Sequence, residues 1–294
     1  MHTLQPRFTD TGLFGPDSVT WRLHGDPAVM WVGGLRALLL QALHPLAMAG
    51  VDQHSDFRDD PWGRLQRTGD YVATLTFADR PTARRAAAAV RRAHHGLAGI
   101  EPESGRPYRV SDPDLLLWVH CCEVDSFLSV ARRSGPALSD GDADRYVAEQ
   151  VVAARLVGVP PQRVPDSAAA LEDYFHTVRT ELRCTAAARR AALFLLWPPM
   201  ATTVQLLTPA RPAWTALATL AVATLPRWAR TLYGLPALRT TDWSTTPTLY
   251  GFRLLGQTLP DSWRHHPYHV RALEQCRIRQ REEEAGVVRS HARR

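Results

Sequence analysis

Residues 27–51 are almost continuously apolar, with Gly33, Gly34 and Gly50 set among large aliphatic side chains. A run of that length with no polar side predicts a helix that crosses the core rather than one that lies on its surface. Three polar residues, Arg36, Gln41 and His44, fall inside it, and Pro45 follows the last of them. The helix is therefore expected to kink or end at His44. Arg36 and His44 also argue against a membrane span, and the other long apolar stretch, 213–225, is too short for one. A chain with such an element at its centre is expected to be helical elsewhere too.

The punctuation along the sequence agrees. Asp59, Asp60 and Pro61 precede an expected helix at 62–78, and Pro81 with Thr82 opens one that runs through 86–97. Ser111 or Asp112 caps a helix over 115–132, and Gly158, Pro160 and Pro161 stop another at 140–157. Further helices are expected at 167–183, 185–196, 204–207, 213–230 and 268–284, and 99–109 reads as a loop. Strand signals are confined to 108–110 and 249–255, and no repeat emerges. With 294 residues and 45% apolar content, the chain is expected to form an all-α fold, a single globular multi-helix domain over 13–280. An extension at 1–12 and a polar tail at 281–294 that frays flank it.

The net charge is +6, from 35 basic and 29 acidic residues, and every non-histidine cation is arginine because lysine is absent. These arginines form no stripe and are not interleaved with aromatics, so no nucleic-acid partner is expected. Cys121, Cys122, Cys184 and Cys276 form no paired framework, and the first 18 residues lack an apolar leader. A cytoplasmic, reducing location is expected. No Cys-x-x-Cys-His attaches a haem covalently, and glycine-rich phosphate loops and Gly-x-Ser-x-Gly elbows are absent.

Chemistry concentrates in one block. His44, His54, His94, His95 and His120 fall within 77 residues, two of them in strongly apolar segments. One buried histidine satisfied by a carbonyl is ordinary; several together point to a site. Arg64, Arg67 and Thr68 stand at i, i+3 and i+4, and so share a helix face that is either a plain solvated basic surface or a seat for an anion or a polarised oxygen. The interleaved Trp62, Leu65 and Tyr71 favour the pocket, for which Phe127 and Leu128 are further lining candidates. His94 follows the small residues Ala86 to Ala89, which let a flat macrocycle approach while a neutral imidazole reaches its iron. His95 points about 100° away and cannot face the same object. His120 has Glu123 at i+3 and Asp125 nearby, either of which can orient an imidazole or pair with an arginine. A non-haem metal held by His94 or His95, His120 and a carboxylate is the competing reading. Cys121 and Cys122 read as small buried hydrophobes.

Several motifs together resemble the DUF2236 family, which contains the rubber oxygenases and the MpaB-like oxygenases. They are Ala-Leu-Leu-Leu-Gln-Ala-Leu-His-Pro at 37–45, Gly50-Val51 with His54-Ser55, Pro-Trp-Gly-Arg-Leu-Gln-Arg-Thr at 61–68 and Val-Arg-Arg-Ala-His at 90–94. Gly99, Gly105-Arg106-Pro107-Tyr108, Leu-Trp-Val-His at 117–120 and a weaker Leu-Pro-x-Trp-x-Arg-x-x-Tyr-Gly at 225–234 complete the set. The resemblance implies a haem b enclosed between core helices, with His94 as axial ligand and Arg64, Arg91 and His120 helping to hold the cofactor. It maps the distal Arg-x-x-Lys-Thr of rubber oxygenases onto Arg64, Arg67 and Thr68. The lysine position is thus an arginine, which stays charged and presents a planar fork. The family's glutamate base has no counterpart between residues 29 and 50, where His44 is the nearest ionisable substitute. The implied activity is a haem-dependent oxygenase that takes dioxygen and a small hydrophobic, terpenoid-like substrate, with Arg64, Arg67, Thr68 and His44 as catalytic candidates. A non-catalytic haem-binding or gas- or redox-sensing protein, a non-haem metal oxygenase and a cofactor-free helical scaffold are the alternatives.

Overall fold

The 27–51 run breaks at His44 as its Pro45 predicts, into two proline-led helices. Helix α1 (Val19–His24), absent from the sequence expectations, leads into α2 (Pro27–Gln41) and α3 (Pro45–His54), the latter two bent by 104° at their break. Asp26 caps α2 by accepting from the amides of Ala28 and Val29, with Pro27 in its first turn. His44 does the same for α3, and Pro45, with no amide to donate, forces the turn.

The structure is a computed structural model that describes residues 12–56, 58–134, 138–258, 260, 264 and 266–291. Of the expected N-terminal extension, all but residue 12 lies outside the described residues, as do the last three residues of the expected tail. The described residues contain fourteen α-helices and one antiparallel hairpin, an all-α fold. After α3 come α4 (Pro61–Phe77), α5 (Arg80–His94), strands β1 (Ala98–Ile100) and β2 (Pro107–Arg109), α6 (Pro113–Ser134) and α7 (Asp140–Val157). Then follow α8 (Ala168–Val178), α9 (Ala186–Leu196), α10 (Thr202–Leu207), α11 (Ala210–Thr224), α12 (Arg227–Leu232), α13 (Arg239–Gln257) and α14 (Pro267–His291).

The core is organised on the pair α2 and α6. A Cβ added at Gly33 would stand 2.7 Å from Phe127 Cδ1, so glycine lets the two helices close. Arg36, buried in α2, joins them electrostatically: its guanidinium meets Asp125 and the Ser126 hydroxyl, each at 2.7 Å, and donates to the Thr224 carbonyl of α11 at 3.0 Å. Trp118, Tyr146, Leu40 and Leu225 fill the interior around this link.

Several sequence expectations are corrected. The 99–109 loop is a hairpin, paired Ala98 to Arg109 and Ile100 to Pro107, whose turn is held by the buried carboxylate of Glu101 accepting from the amides of Glu103 and Ser104. The 249–255 segment lies inside α13, where packing on α11 favours the helix over a lone strand. The 213–230 helix divides at Pro226 into α11 and α12, and 167–183 ends as α8 at Val178 before a 3-10 turn. Helix α5 stops at His94 rather than at 97 because Gly96 turns the chain with φ +78°. The expected frayed tail is instead helical through His291.

Candidate active site

Helices α4, α5, α6 and α7 enclose a cavity of about 110 Å³. Tyr71, Val72, Leu75 and Thr76 of α4 line it, with Val90 and His94 of α5, Leu116, Val119, His120 and Glu123 of α6, and Gln150, Ala153 and Val157 of α7. Phe14 and His24 complete the wall. The spacing of these contributions is helical: Val90 and His94 are one turn apart, as are Leu116, His120 and Glu123.

Charge inside the cavity is suppressed by its surroundings. Burial, followed by the positive charge of Arg64, holds the His94 imidazole below its usual pKa. Burial alone lowers His120 to about 4 and His24 to about 3, so all three imidazoles are neutral at pH 7. Burial raises the Glu123 carboxyl to about 7, so it is poised between its acid and its base. The Tyr71 phenol is pushed up by burial and then by Glu123. Its hydroxyl, with no hydrogen-bond partner among the described residues, is an orphaned polar atom beside the cavity.

Arg64 adjoins His94 without lining the enclosed space. Protein surrounds enough of its guanidinium to lower its pKa, chiefly by burial, while the residue keeps an accessible side. Its Nη1 donates to Thr68 Oγ1 at 3.2 Å, and Thr68 donates to the Arg64 carbonyl at 2.9 Å. Arg64, Thr68 and Tyr71 stand on successive turns of one face of α4, of which Tyr71 lines the cavity.

The family model described as "ER-bound oxygenase mpaB/B'/Rubber oxygenase, catalytic domain" matches residues 21–260. The chain belongs to this family. No curated protein and no solved structure matches it. As a member of an oxygenase family, it has a substrate and dioxygen as its reactants.

In this mpaB/rubber oxygenase domain, the expected site residues divide into two groups. His94, His120, Arg64 and Thr68 gather at or beside the cavity. Arg67 does not: it turns outward to the carboxylates of Asp60, the N-cap of α4, at 2.9 Å, and of Asp56, in the segment before the helix, at 2.9 Å. His44 is also elsewhere. It caps α3 and sits 4.0 Å from Glu181 and beside Trp118, its pKa lowered by burial. Arg91 donates to the Leu156 carbonyl near the end of α7. His95 caps α5 from an exposed position, and His54 packs its ring edge against Tyr108.

Among the expected lining residues, Tyr71 is in place, while Phe127 and Leu128 belong to the core and Trp62 packs on Trp214. Among the described residues, no three histidine, cysteine or carboxylate side chains gather closely enough to hold a metal ion, so the facial triad is not assembled. Sequence reasoning missed His24, which comes from a short helix far from the other lining residues, and gave Glu123 only an orienting role. The one signal for Glu123 was its position one turn after His120.

Proposed function

We propose that this domain is a b-type haem-dependent oxygenase that acts on a small hydrophobic substrate, with His94 as the residue that would hold the iron. The observation that carries the reading is the meeting of a neutral His94, a half-ionised Glu123 and an unpartnered Tyr71 hydroxyl at one largely apolar cavity.

The donor set suits the cofactor. A neutral imidazole is the form that ligates iron, and Arg64 beside it suits a propionate. Apolar walls from Val72, Leu75, Val90 and Leu116 suit a macrocycle face. The enclosed volume is smaller than the roughly 300 Å³ at which cofactor pockets begin, so haem on His94 needs the accessible side next to Arg64 as well. Haem, when bound, supplies the one-electron and dioxygen chemistry that side chains lack.

This chain's residues provide the rest. Leu75, Val90, Leu116 and Val119 exclude water and favour an apolar substrate. Glu123 holds a proton on its carboxyl below pH 7 and releases it above, and so can take a proton from a substrate carbon or return one. It fills the place of the base that the sequence lacks near His44. Tyr71, whose hydroxyl has no partner among the described residues, stays protonated and is free to donate a hydrogen bond to a bound molecule. Arg64, fixed by Thr68, contributes a permanent positive charge at the mouth.

Haem titration of the purified chain tests the assignment. A Soret band is expected that is lost or shifted in His94→Ala and kept in His44→Ala; equal spectra in the two variants would sink it. Glu123→Gln should retain the band while turnover of an unsaturated apolar substrate, read as oxygen uptake, falls by about 10²–10⁴-fold. A chain that keeps its haem spectrum but consumes no oxygen with any such substrate would instead be a sensor.

A further inference from the structure

The long stretch of chain from α9 to α13 leaves an unusual surface. Of the eighteen large apolar side chains exposed among the described residues, eleven fall between Leu193 and Leu255. Helices α9, α10 and α13 all pack on α11, so these residues crown one part of the molecule. Leu206 and Leu207, adjacent on the short helix α10, are 79% and 82% exposed, the most open leucines described. Trp197 and Leu255, 61% and 68% exposed, line an open apolar groove of about 820 Å³ between α11 and α13, and α10 packs on the same α11.

Residues 182–260 contain eight arginines and a single carboxylate, Asp242, which is tied to the buried Arg230. Arg183, Arg190 and Arg253 reach Glu101, Asp52 and Asp26 from other parts of the chain, whereas Arg211 forms no ion pair with a carboxylate among the described residues. Arg211 lines the groove and lays its guanidinium over the Trp197 ring at 4.5 Å. Its Nε and Nη1 have no hydrogen-bond partner among the described residues. A cation without an anion, set in an apolar groove rimmed by tryptophan and leucine, calls for a partner that brings both negative charge and hydrocarbon.

We propose that this face docks on a lipid bilayer surface bearing anionic headgroups, with Leu206, Leu207 and Trp197 inserted among the acyl chains and Arg211 on a headgroup phosphate. The chemistry favours a bilayer over a protein. Leucines standing free at the tip of a short helix gain from any hydrocarbon phase, whereas a folded partner requires a matched relief. Tryptophan and arginine side by side are the pairing that suits the boundary between acyl chains and headgroups. The same surface adjoins the active-site helix. Trp62, two residues before Arg64, donates from its indole to the Pro199 carbonyl at 3.0 Å and packs edge-on against Trp214 at 4.9 Å. Docking would therefore set α4 close to an apolar phase, although the proposal stands whether or not the cavity holds haem.

The test is co-sedimentation of the full chain with vesicles of phosphatidylcholine alone and of phosphatidylcholine mixed equally with phosphatidylglycerol. Binding is expected to the mixed vesicles and to weaken with added salt. Leu206→Asp with Leu207→Asp should reduce it about tenfold or more. Arg211→Gln should reduce it about fivefold, the effect of one surface cation. Leu206 and Leu207 lie outside the core, so circular dichroism and thermal unfolding of the leucine variant should match the parent. Absence of binding to the mixed vesicles, or undiminished binding by the leucine variant, would overturn the proposal. So would a parent dimer in sedimentation velocity that the leucine variant abolishes without any vesicle binding, since the face would then serve a second copy of this chain.

Discussion

His24 is buried, donates or accepts at Thr76 Oγ1 (2.8 Å) and Tyr146 Oη (3.0 Å), and is held near pKa 3 by burial. Its ordinary value is 6.5, so below that pH the unfolded chain binds a proton that the folded chain refuses. Stability contributed by neutral His24 is present above pH 6.5 and lost as the pH falls toward 3, with a slope of about 1.4 kcal/mol per pH unit. Glu123 acts in the opposite sense. Raised from 4.5 to about 7, it keeps a proton in the folded state that the unfolded state has released, so its contribution is lost as pH rises through 7. The two oppose each other between pH 4.5 and 6.5. Glu123→Gln should therefore steepen the rise of unfolding free energy with pH across that window and flatten the fall toward neutrality, measured by denaturant titration. An unchanged pH profile would show that Glu123 is solvated like a surface carboxylate. At this scale the sequence was only partly legible. His94 and His120 carry helical spacings that bring both to one cavity, whereas Arg67 and His44 are diverted by Asp56, Asp60 and a helix cap, and such polar partners leave no periodic trace.

Elements were more legible than residues wherever capping chemistry is local. Asp26-Pro27, Asp60-Pro61 and Ser139 each start a helix within a residue or two of where the sequence puts one, and the break expected at His44 is where α3 begins. Boundaries set from a distance were not. Residues 249–255 look strand-like because Leu249, Tyr250, Phe252, Leu254 and Leu255 make a short run of large apolar side chains, and only packing against α11 reveals the helix. The contact of α2 with α6 is likewise tertiary, and two substitutions probe it. Gly33→Ala drives a methyl to 2.7 Å from the Phe127 ring and should cost about 1–3 kcal/mol, read as a lower denaturation midpoint. Arg36→Ala removes the cation that Asp125 and Ser126 face and should cost about 3–5 kcal/mol. Arg36→Met, which replaces the stem but not the charge, should behave much like Arg36→Ala if the ion pair matters, and recover most of the loss if packing alone does.

On the scale of the whole molecule, the folded unit is longer than the region shared with the family. That match ends at residue 260, yet α14 continues the core beyond it. Ala272 of α14 completes a cluster with Trp21, Ala73 and Phe77, and His269 stacks on the Phe77 ring with centroids 4.3 Å apart. His266 reaches Asp70 of α4 at 2.8 Å. All three contacts hold α4, the helix that carries Arg64, Thr68 and Tyr71, so the far end of the chain supports one wall of the cavity. A chain ended at residue 260 should uncover Trp21 and Phe77, each worth about 1.5–3 kcal/mol of burial, and lose on the order of 10 °C in Tm. Because α4 would also lose its outer support, haem affinity should weaken even at temperatures where the shortened chain stays folded. An equal Tm would show that α14 only covers the surface; a lower Tm with unchanged haem titration would show that α4 keeps its place without it and that the cavity is braced by α5, α6 and α7 alone.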